Sequence, residues 1–100
     1  MAQTRKVRGV ATQIHAENGW MIVTYHSTDV VKWTDNTVVL NTGGWKTATT
    51  KTRMNQAANQ FDLGYSVYQR NFDWYVTTKA ATFLFGGRSI TIDRDSGGIL

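Results

Sequence analysis

Turn-forming residue pairs divide this chain into short segments that alternate apolar and polar residues, which is the pattern of antiparallel β-hairpins. The strongest of these turn signals is Asn18-Gly19, because both central residues of a type I′ turn need a positive φ. Pairing outward from this turn sets Glu17 against Trp20 and Thr12 against Tyr25. The first folded unit is therefore predicted to be a tight two-residue hairpin.

Three further hairpins are predicted on the same grounds. Asp35-Asn36 closes the second, with Val31, Trp33, Val38 and Leu40 on one face of the sheet. Asn71-Phe72 closes the third, which makes Tyr68 and Tyr75 cross-strand neighbours and places Tyr65, Val67, Trp74 and Val76 on the opposite, buried face. Gly86-Gly87 closes the last and pairs residues 82–85 with residues 88–92.

Only the stretch from Thr49 to Leu63 has the spacing of a helix. Its apolar residues recur three and four positions apart, at Met54, Ala57, Ala58 and Phe61. Thr47, Thr49 or Thr50 can accept a hydrogen bond from the first free backbone amides as the N-cap. Gly64 is predicted to be the left-handed residue that ends the helix.

These elements predict an α+β fold of about eight strands in the order ββββ-α-ββββ, with antiparallel hairpin sheets packed around one central helix. Residues 7–92 are expected to form a single domain, preceded by a flexible basic N-terminus over residues 1–6. Residues 93–100 are expected to form a flexible tail. The unpaired edges of such hairpins favour strand pairing with a second subunit, so a homodimer is one expected partner arrangement.

The composition narrows the classes of function. The chain has 100 residues and no cysteine, which excludes disulfides, thiolate nucleophiles and cysteine-ligated zinc. The lack of cysteine and of a signal peptide favours a reducing compartment, so we expect a cytoplasmic protein. We expect no membrane partner, because no apolar run of the sequence is long enough to span a bilayer. The formal net charge of +4 favours an anionic partner but also suits an ordinary soluble domain.

A phosphate site is predicted where the helix begins. Lys46, Thr47, Thr49, Lys51 and Arg53 follow a Gly43-Gly44 pair and lie at the helix start, where unpaired amides and the helix dipole attract anions. Cations at this end oppose the dipole unless an anion is bound. The segment lacks the glycine spacing of a Walker A loop. The alternative is a threonine-capped helix preceded by an ordinary glycine turn.

Stacking surfaces are predicted at Trp45 and at the pair Tyr68 and Tyr75, because aromatic rings beside cations can stack on nucleobases. The tyrosine pair also suits packing within its hairpin or a dimer interface. The basic segment Arg5-Lys6-Arg8 could follow a nucleic-acid backbone, or could simply aid solubility.

No catalytic constellation is visible in the sequence. The carboxylates are scattered, and four of them lie at predicted turns or element ends: Asp29, Asp35, Asp62 and Asp73. His15 and His26 have no third ligand near them in sequence. We therefore expect no catalytic residues, no metal and no cofactor, and a protein that is not an enzyme.

Three segments resemble a set of small proteins encoded by bacteriophages and uncultivated viral genomes: residues 26–31 (HSTDVV), 40–45 (LNTGGW) and 49–56 (TTKTRMNQ). The resemblance extends from His26 to about Tyr75. It implies expression in the cytoplasm of an infected bacterial cell, and it implies counter-defence as a role, since small phage proteins often inhibit host immunity by binding. It carries no functional residues over to this chain.

Three hypotheses of function follow. The leading one is a non-enzymatic binder of a phosphate-bearing ligand, either nucleic acid or a signalling nucleotide. Sequestering a host immune nucleotide is one version of this hypothesis. The second is an inhibitor that docks on a host defence or replication protein. The third is a small metal-dependent nuclease or phosphodiesterase. A discrete recessed pocket would favour the nucleotide version of the first.

Overall fold

A computed structural model of the protein describes residues 11–100. It has one helix and eight strands, arranged as β1–β4, then the helix, then β5–β8, so the predicted α+β class and element order are confirmed. The bounds are β1 Thr12–Glu17, β2 Trp20–Tyr25, β3 Thr28–Trp33, β4 Thr37–Asn41, α1 Ala48–Phe61, β5 Tyr65–Arg70, β6 Asp73–Thr78, β7 Thr82–Leu84 and β8 Ser89–Asp93.

The strands form two antiparallel sheets, one in the order β1-β2-β3-β4-β8 and one in the order β5-β6-β7. The helix packs against β2 and β3 of the larger sheet and against β5 of the smaller one. The core lies between these layers and contains the apolar residues predicted from the alternation, including Val31, Leu40, Trp74 and Val76. The helical stripe is confirmed as well, since Met54 and Ala57 are fully buried.

The predicted registers of the first and third hairpins are confirmed. Glu17 pairs with Trp20 and Thr12 with Tyr25 across the Asn18-Gly19 turn. Tyr68 pairs with Tyr75 in the third hairpin, across the Asn71-Phe72 turn, in which both residues have positive φ. In each case the turn fixes the register, and the register then decides which side chains share a face.

The predicted fourth hairpin is wrong. The strand from Thr82 pairs with β6, whereas the strand from Ser89 crosses to the larger sheet and pairs with β4, with Val38 opposite Ile92. Phe85 directly follows the first of these strands and is buried, and its amide donates to the carbonyl of Trp74. Gly86-Gly87 is therefore the crossover between the two sheets, which allows both to close over one core.

The helix ends earlier than predicted, at Phe61, and the left-handed residue that terminates it is Asp62 instead of Gly64. The φ of Asp62 is 54°, and Leu63 donates its amide to the carbonyl of Ala58. An aspartate tolerates this backbone conformation better than most residues. The early stop turns the Leu63 side chain into the core, where it is buried.

A β-bulge changes which residues of β3 are buried. The register shifts between Val23 and Thr24, so that Val31 pairs with Val23 while Asp29 pairs with Thr24. Val30 is the extra residue, and it is buried together with Val31 although simple alternation places the two on opposite faces. The bulge lies next to the turn between β2 and β3, which contains His26.

The last residues pack back onto the domain. Thr78 donates its hydroxyl to the carbonyl of Gly97 at 2.6 Å, and Ile99 forms a bridge with Ile92. The hydroxyl of Ser96 donates to the Asp93 carboxylate at 2.8 Å and holds the pKa of that carboxyl below its ordinary value. The predicted basic segment Arg5-Lys6-Arg8 and the rest of the N-terminus over residues 1–6 lie outside the described residues.

Tyr65 makes stability depend on alkaline pH. Its hydroxyl donates to the carbonyl of Met54 at 2.6 Å, and burial raises the pKa of this phenol far above its ordinary value near 10. Because the folded-state pKa exceeds the unfolded-state pKa, this contribution to stability is complete below pH 10 and is lost as the pH rises above it.

We expect Tyr65→Phe to lower the free energy of unfolding by about 1 kcal/mol at pH 7, the usual net value of one hydrogen bond. The variant should lose less stability than the wild type between pH 8 and roughly pH 11, because its side chain has no proton to release. Urea unfolding at a series of pH values measures both effects. Parallel pH profiles for the two proteins would contradict this account.

Candidate functional site

The protein has a cleft of about 400 Å³ at the edge of the larger sheet where the helix begins. Three segments meet there: the turn between β2 and β3, the loop from Thr42 to Trp45, and the first turn of α1. The antiparallel order explains the meeting, because β2 ends, β3 begins and β4 ends at the same edge of the sheet. The cleft is lined by Tyr25, His26, Ser27, Thr28, Val30, Thr42, Trp45, Thr47 and Thr50.

Aromatic rings flank this cleft. Tyr25 and His26 lie side by side with ring centroids 4.4 Å apart. Trp45, on a different loop, is 70% exposed although it is one of the largest apolar side chains of the domain. The cleft thus has aromatic rings on two separate segments, the end of β2 with its turn and the loop before α1, which is an arrangement suited to a flat ring system.

The loop that carries Trp45 is held by its own polar side chains. The Asn41 side chain accepts from the amide of Gly43 at 2.8 Å, and the Thr42 hydroxyl accepts from the amide of Gly44 at 3.1 Å. Trp45 then donates its amide to the carbonyl of Thr42 at 3.0 Å. These local bonds form successive tight turns that present Trp45 at a fixed position.

Gly43 has a packing role in this loop. Its φ is +65°, and a Cβ atom at this position would lie 2.6 Å from the Thr28 hydroxyl oxygen. The glycine therefore lets the β2–β3 turn pack directly against the loop. A ligand therefore cannot take the space beside Gly43, because the Thr28 side chain at the start of β3 occupies it.

The helix start is capped as predicted. Thr47 is the N-cap, and its side-chain oxygen accepts from the amide of Thr50 at 3.2 Å. The hydroxyls of Thr47 and Thr50 lie 3.1 Å apart and share a hydrogen bond. Ala48 and Thr49 occupy the first two helical positions, where no preceding turn can accept from their amides, and no described residue does so.

None of the predicted phosphate-binding cations lines the cleft. Lys46 donates to the carbonyls of Phe85 and Gly86, at 3.1 and 3.0 Å. Lys46 thus ties the loop before the helix to the crossover between the sheets. Of the predicted phosphate residues, Thr47 lines the cleft. Thr49 lies in the first turn of α1 but does not line the cleft.

The two cations within the helix also have partners elsewhere. Lys51 donates to the side chain of Gln69 at 3.2 Å, on the side of the smaller sheet. Arg53 points toward the larger sheet, where its Nε donates to the hydroxyl of Thr12 at 2.8 Å and its guanidinium lies 5.7 Å from the ring centroid of Tyr25. Arg53 thus supports the ring of a residue that lines the cleft.

The predicted stacking residues separate into two places. Trp45 lines the cleft, but Tyr68 and Tyr75 lie on the outer face of the smaller sheet, where their rings stack at 5.5 Å with an interplanar angle of 24°. Tyr68 and Lys51 instead line a shallower recess of about 330 Å³ between the helix and β5. The structure thus joins Trp45 with Thr47, and Tyr68 with Lys51.

Sequence reasoning missed most of the cleft. Tyr25, His26, Ser27 and Thr28 follow one another in a polar turn, and the antiparallel order places this turn at the same edge as the Gly43-Gly44 loop. That connectivity was the available signal. Thr42 and Thr50 were harder to find because their hydroxyls are buried and hydrogen-bonded within the domain.

The described part of the chain has neither a metal-binding cluster nor a membrane-spanning helix. Among residues 11–100, no three histidine, aspartate or glutamate side chains come together in a way that could hold a metal ion. The helix over residues 48–61 is too short and too polar to cross a membrane, and the described part contains no other helix.

Comparison with known proteins places the chain in a family. Residues 1–90 match the family model described as the Kyanoviridae Gp96 protein. No curated protein and no solved structure matches the chain at a significant level. The match with the family model covers nine tenths of the sequence, and it confirms the predicted resemblance to small phage proteins. The chain therefore belongs to the Kyanoviridae Gp96 family of phage proteins.

Proposed function

We propose that this protein is a non-enzymatic phage protein that binds a nucleotide in the cleft at the start of α1. The observation that carries the proposal is that exposed Trp45 lines the same cleft of about 400 Å³ as Tyr25 and His26. This volume lies within the range of about 300–1,000 Å³ typical of small-molecule sites. A nucleobase offers the flat π-face that such a site accommodates.

The phosphate would lie toward the helix. Thr47 lines the cleft, and the amides of Ala48 and Thr49, which follow it directly in the chain, have no acceptor among the described residues. A helix N-terminus favours a negative group through its unpaired amides and its dipole. A binder of this kind would act by sequestering a signalling nucleotide in the host cytoplasm, which fits a phage protein that counters host defence.

The test is a thermal-shift and fluorescence titration with nucleotides. A ligand at about one hundred times its Kd should add about 2.7 kcal/mol of stability. For a domain of this length that corresponds to a rise in Tm of roughly 10 °C or more. Stacking on Trp45 should also quench tryptophan emission, because this tryptophan is far more exposed than Trp33 and Trp74. No shift with any nucleotide would refute the proposal.

Trp45→Ala is expected to weaken nucleotide binding by about 5- to 150-fold, because stacking contributes about 1–3 kcal/mol per base. The side chain is 70% exposed, so the variant should keep the wild-type Tm in the absence of ligand. Isothermal titration calorimetry measures the loss of affinity.

Tyr68→Ala is the matched control. It removes an exposed aromatic ring from the other predicted stacking surface, and it should leave nucleotide binding unchanged. The opposite result, with binding lost in Tyr68→Ala and kept in Trp45→Ala, would move the site to the outer face of the smaller sheet.

Chromatography of the ligand after incubation with protein and Mg²⁺ should return it intact. Conversion to product would favour the nuclease or phosphodiesterase alternative.

A further inference from the structure

A second recess adjoins the outer face of the smaller sheet. This β5 recess has a volume of about 330 Å³ and lies between α1 and β5. Lys51 of the helix and Tyr68 of the strand both line it. Tyr68 also belongs to the outer face, because its register places it opposite Tyr75. The recess therefore brings a cation of the helix to the edge of an aromatic surface.

The charge of Lys51 is not balanced by a carboxylate. Its Nζ donates to the side chain of Gln69 at 3.2 Å and lies 5.5 Å from the ring centroid of Trp74, and both of these partners are neutral. All seven aspartates and glutamates of the chain lie within residues 11–100, and none of them forms an ion pair with Lys51. An ammonium group has three donors, so Lys51 keeps both its charge and further donors for an anion.

Arg70 supplies a second cation on the same surface. It lies two residues beyond Tyr68 in β5, so alternation places both side chains on the outer face, with their Cα atoms roughly 7 Å apart along the strand. Arg70 is exposed, and although the register sets it opposite Asp73, the two form no ion pair. The exposed ring of Tyr68 thus has a cation of the helix and a cation of its own strand as neighbours.

The aromatic part of this surface is broad and flat. The rings of Tyr68 and Tyr75 lie 5.5 Å apart and within 24° of parallel, and Tyr68 is 38% exposed. Leu84 of β7 continues the row opposite Tyr75 and is 60% exposed. A nucleobase can add to such a stack as a further ring, and an aliphatic neighbour adds apolar contact.

We propose that the β5 recess and the row formed by Tyr68, Tyr75 and Leu84 bind a single strand of nucleic acid. One phosphate would lie at Lys51, a base against Tyr68, and the next phosphate toward Arg70. This order of cation, ring and cation matches the alternation of phosphate and base along a strand. The phosphates would bind with release of counterions, and stacking on the rings tolerates any base. In a duplex the bases are stacked on one another, which leaves no free face for the tyrosine rings.

This ligand differs from the one proposed for the cleft. A single nucleotide would make one stack and one ion contact at the β5 recess, which does not offset the translational freedom lost on association. A strand adds contacts with each nucleotide without a further loss of this kind. The cleft therefore remains the proposed site for a mononucleotide, and the β5 recess takes an oligonucleotide.

Fluorescence anisotropy with labelled oligothymidylate and oligouridylate of about 12 nucleotides tests the proposal. Binding of either strand supports it, and the tighter one identifies the sugar. Tyr68→Leu keeps an apolar side chain but removes the ring, so we expect it to weaken binding by about 5-fold or more, whereas Tyr68→Phe should bind like the wild type. Urea unfolding of both variants controls for folding. Equal affinities of the two variants would overturn stacking on this surface.

The salt dependence of binding tests the two cations. Lys51→Gln and Arg70→Gln should each reduce the slope of log Kd against log salt concentration by about 0.7, because each removes one phosphate contact to a single strand. Lys32→Gln is the control, since Lys32 carries the same charge but lies over the Trp20 ring on the larger sheet. The basic residues within residues 1–10 are present in all of these variants, so their attraction for the strand cancels in the comparison. A change of the same size in the control would overturn the site in favour of general attraction by the net charge.

Further outcomes separate this inference from the proposed function. Trp45→Ala should leave the affinity for the oligonucleotide unchanged. If it abolishes that affinity while Tyr68→Leu does not, the strand enters the cleft and the inference fails. If the oligonucleotide binds in a Tyr68-dependent way but no mononucleotide binds, the inference stands and the proposed function fails. Absence of strand binding would overturn the inference, and a dimer in sedimentation that Tyr68→Leu dissociates would then assign this face to a second copy of the chain.

Discussion

Asn55→Ala is expected to lower the free energy of unfolding by about 2–4 kcal/mol, because two backbone groups of β5 lose their partner together. The Asn55 side chain donates to the carbonyl of Val67 at 2.8 Å and accepts from the amide of the same residue at 2.8 Å. β5 is an edge strand of the smaller sheet, and these are groups that point away from β6. The side-chain amide of Asn55 therefore makes the two hydrogen bonds to the Val67 backbone that a neighbouring strand would otherwise make.

Asn59→Ala is the control for this substitution. Asn59 lies one helical turn later and is exposed, so the change has the same effect on helix propensity without breaking the bridge. It should raise stability by a few tenths of a kcal/mol. Urea denaturation of both variants measures the difference. If Asn55→Ala costs no more than about 0.5 kcal/mol, the bridge does not hold the helix to the sheet.

The period-two alternation was sufficient to predict most strands because it reports local geometry. The Asn18-Gly19 and Asn71-Phe72 turns each fixed a register, and the buried faces followed from it. Val30 and Val31 show where the pattern fails. A bulge adds one residue to a strand, and nothing in the valine pair itself reveals which strand will absorb it.

The fourth hairpin failed for a non-local reason. Gly86-Gly87 is a strong turn signal, but turn chemistry alone does not say whether two strands join each other or join different sheets. Phe85 and Ile92 are both buried in the core, and Ile92 reaches it by pairing with Val38 of the larger sheet. Tertiary burial therefore overrode the local preference.

The candidate site shows the same division. Its location was predictable, since the helix start, Trp45 and Thr47 all come together there. The direction of long cationic side chains was not predictable, because Lys46, Lys51 and Arg53 each find acceptors from segments distant in sequence. This difference changes the expected chemistry of the site from a cationic phosphate clamp to an aromatic and hydroxyl-lined recess.

The loop that forms the cleft should be highly sensitive at Gly43. We expect Gly43→Ala to lower the free energy of unfolding by about 2–5 kcal/mol, combining left-handed strain of about 1–2 kcal/mol with overpacking of about 1–3 kcal/mol. The new methyl group would meet the Thr28 side chain at 2.6 and 2.8 Å. Because Thr28 lines the cleft, nucleotide affinity should fall together with stability.

Gly19→Ala separates the two causes. Gly19 has a φ of +84°, but a Cβ atom there would meet nothing within 4 Å, so this variant carries the backbone strain without the clash. Combining Gly43→Ala with Thr28→Ala removes the two closest atoms and should bring the cost down to that of Gly19→Ala. Chemical denaturation of the wild type, Gly43→Ala, Thr28→Ala and the double variant measures this non-additivity, and Gly19→Ala supplies the cost of backbone strain alone. Additive effects of the two substitutions would show that contact between the loop and the β2–β3 turn does not shape the cleft.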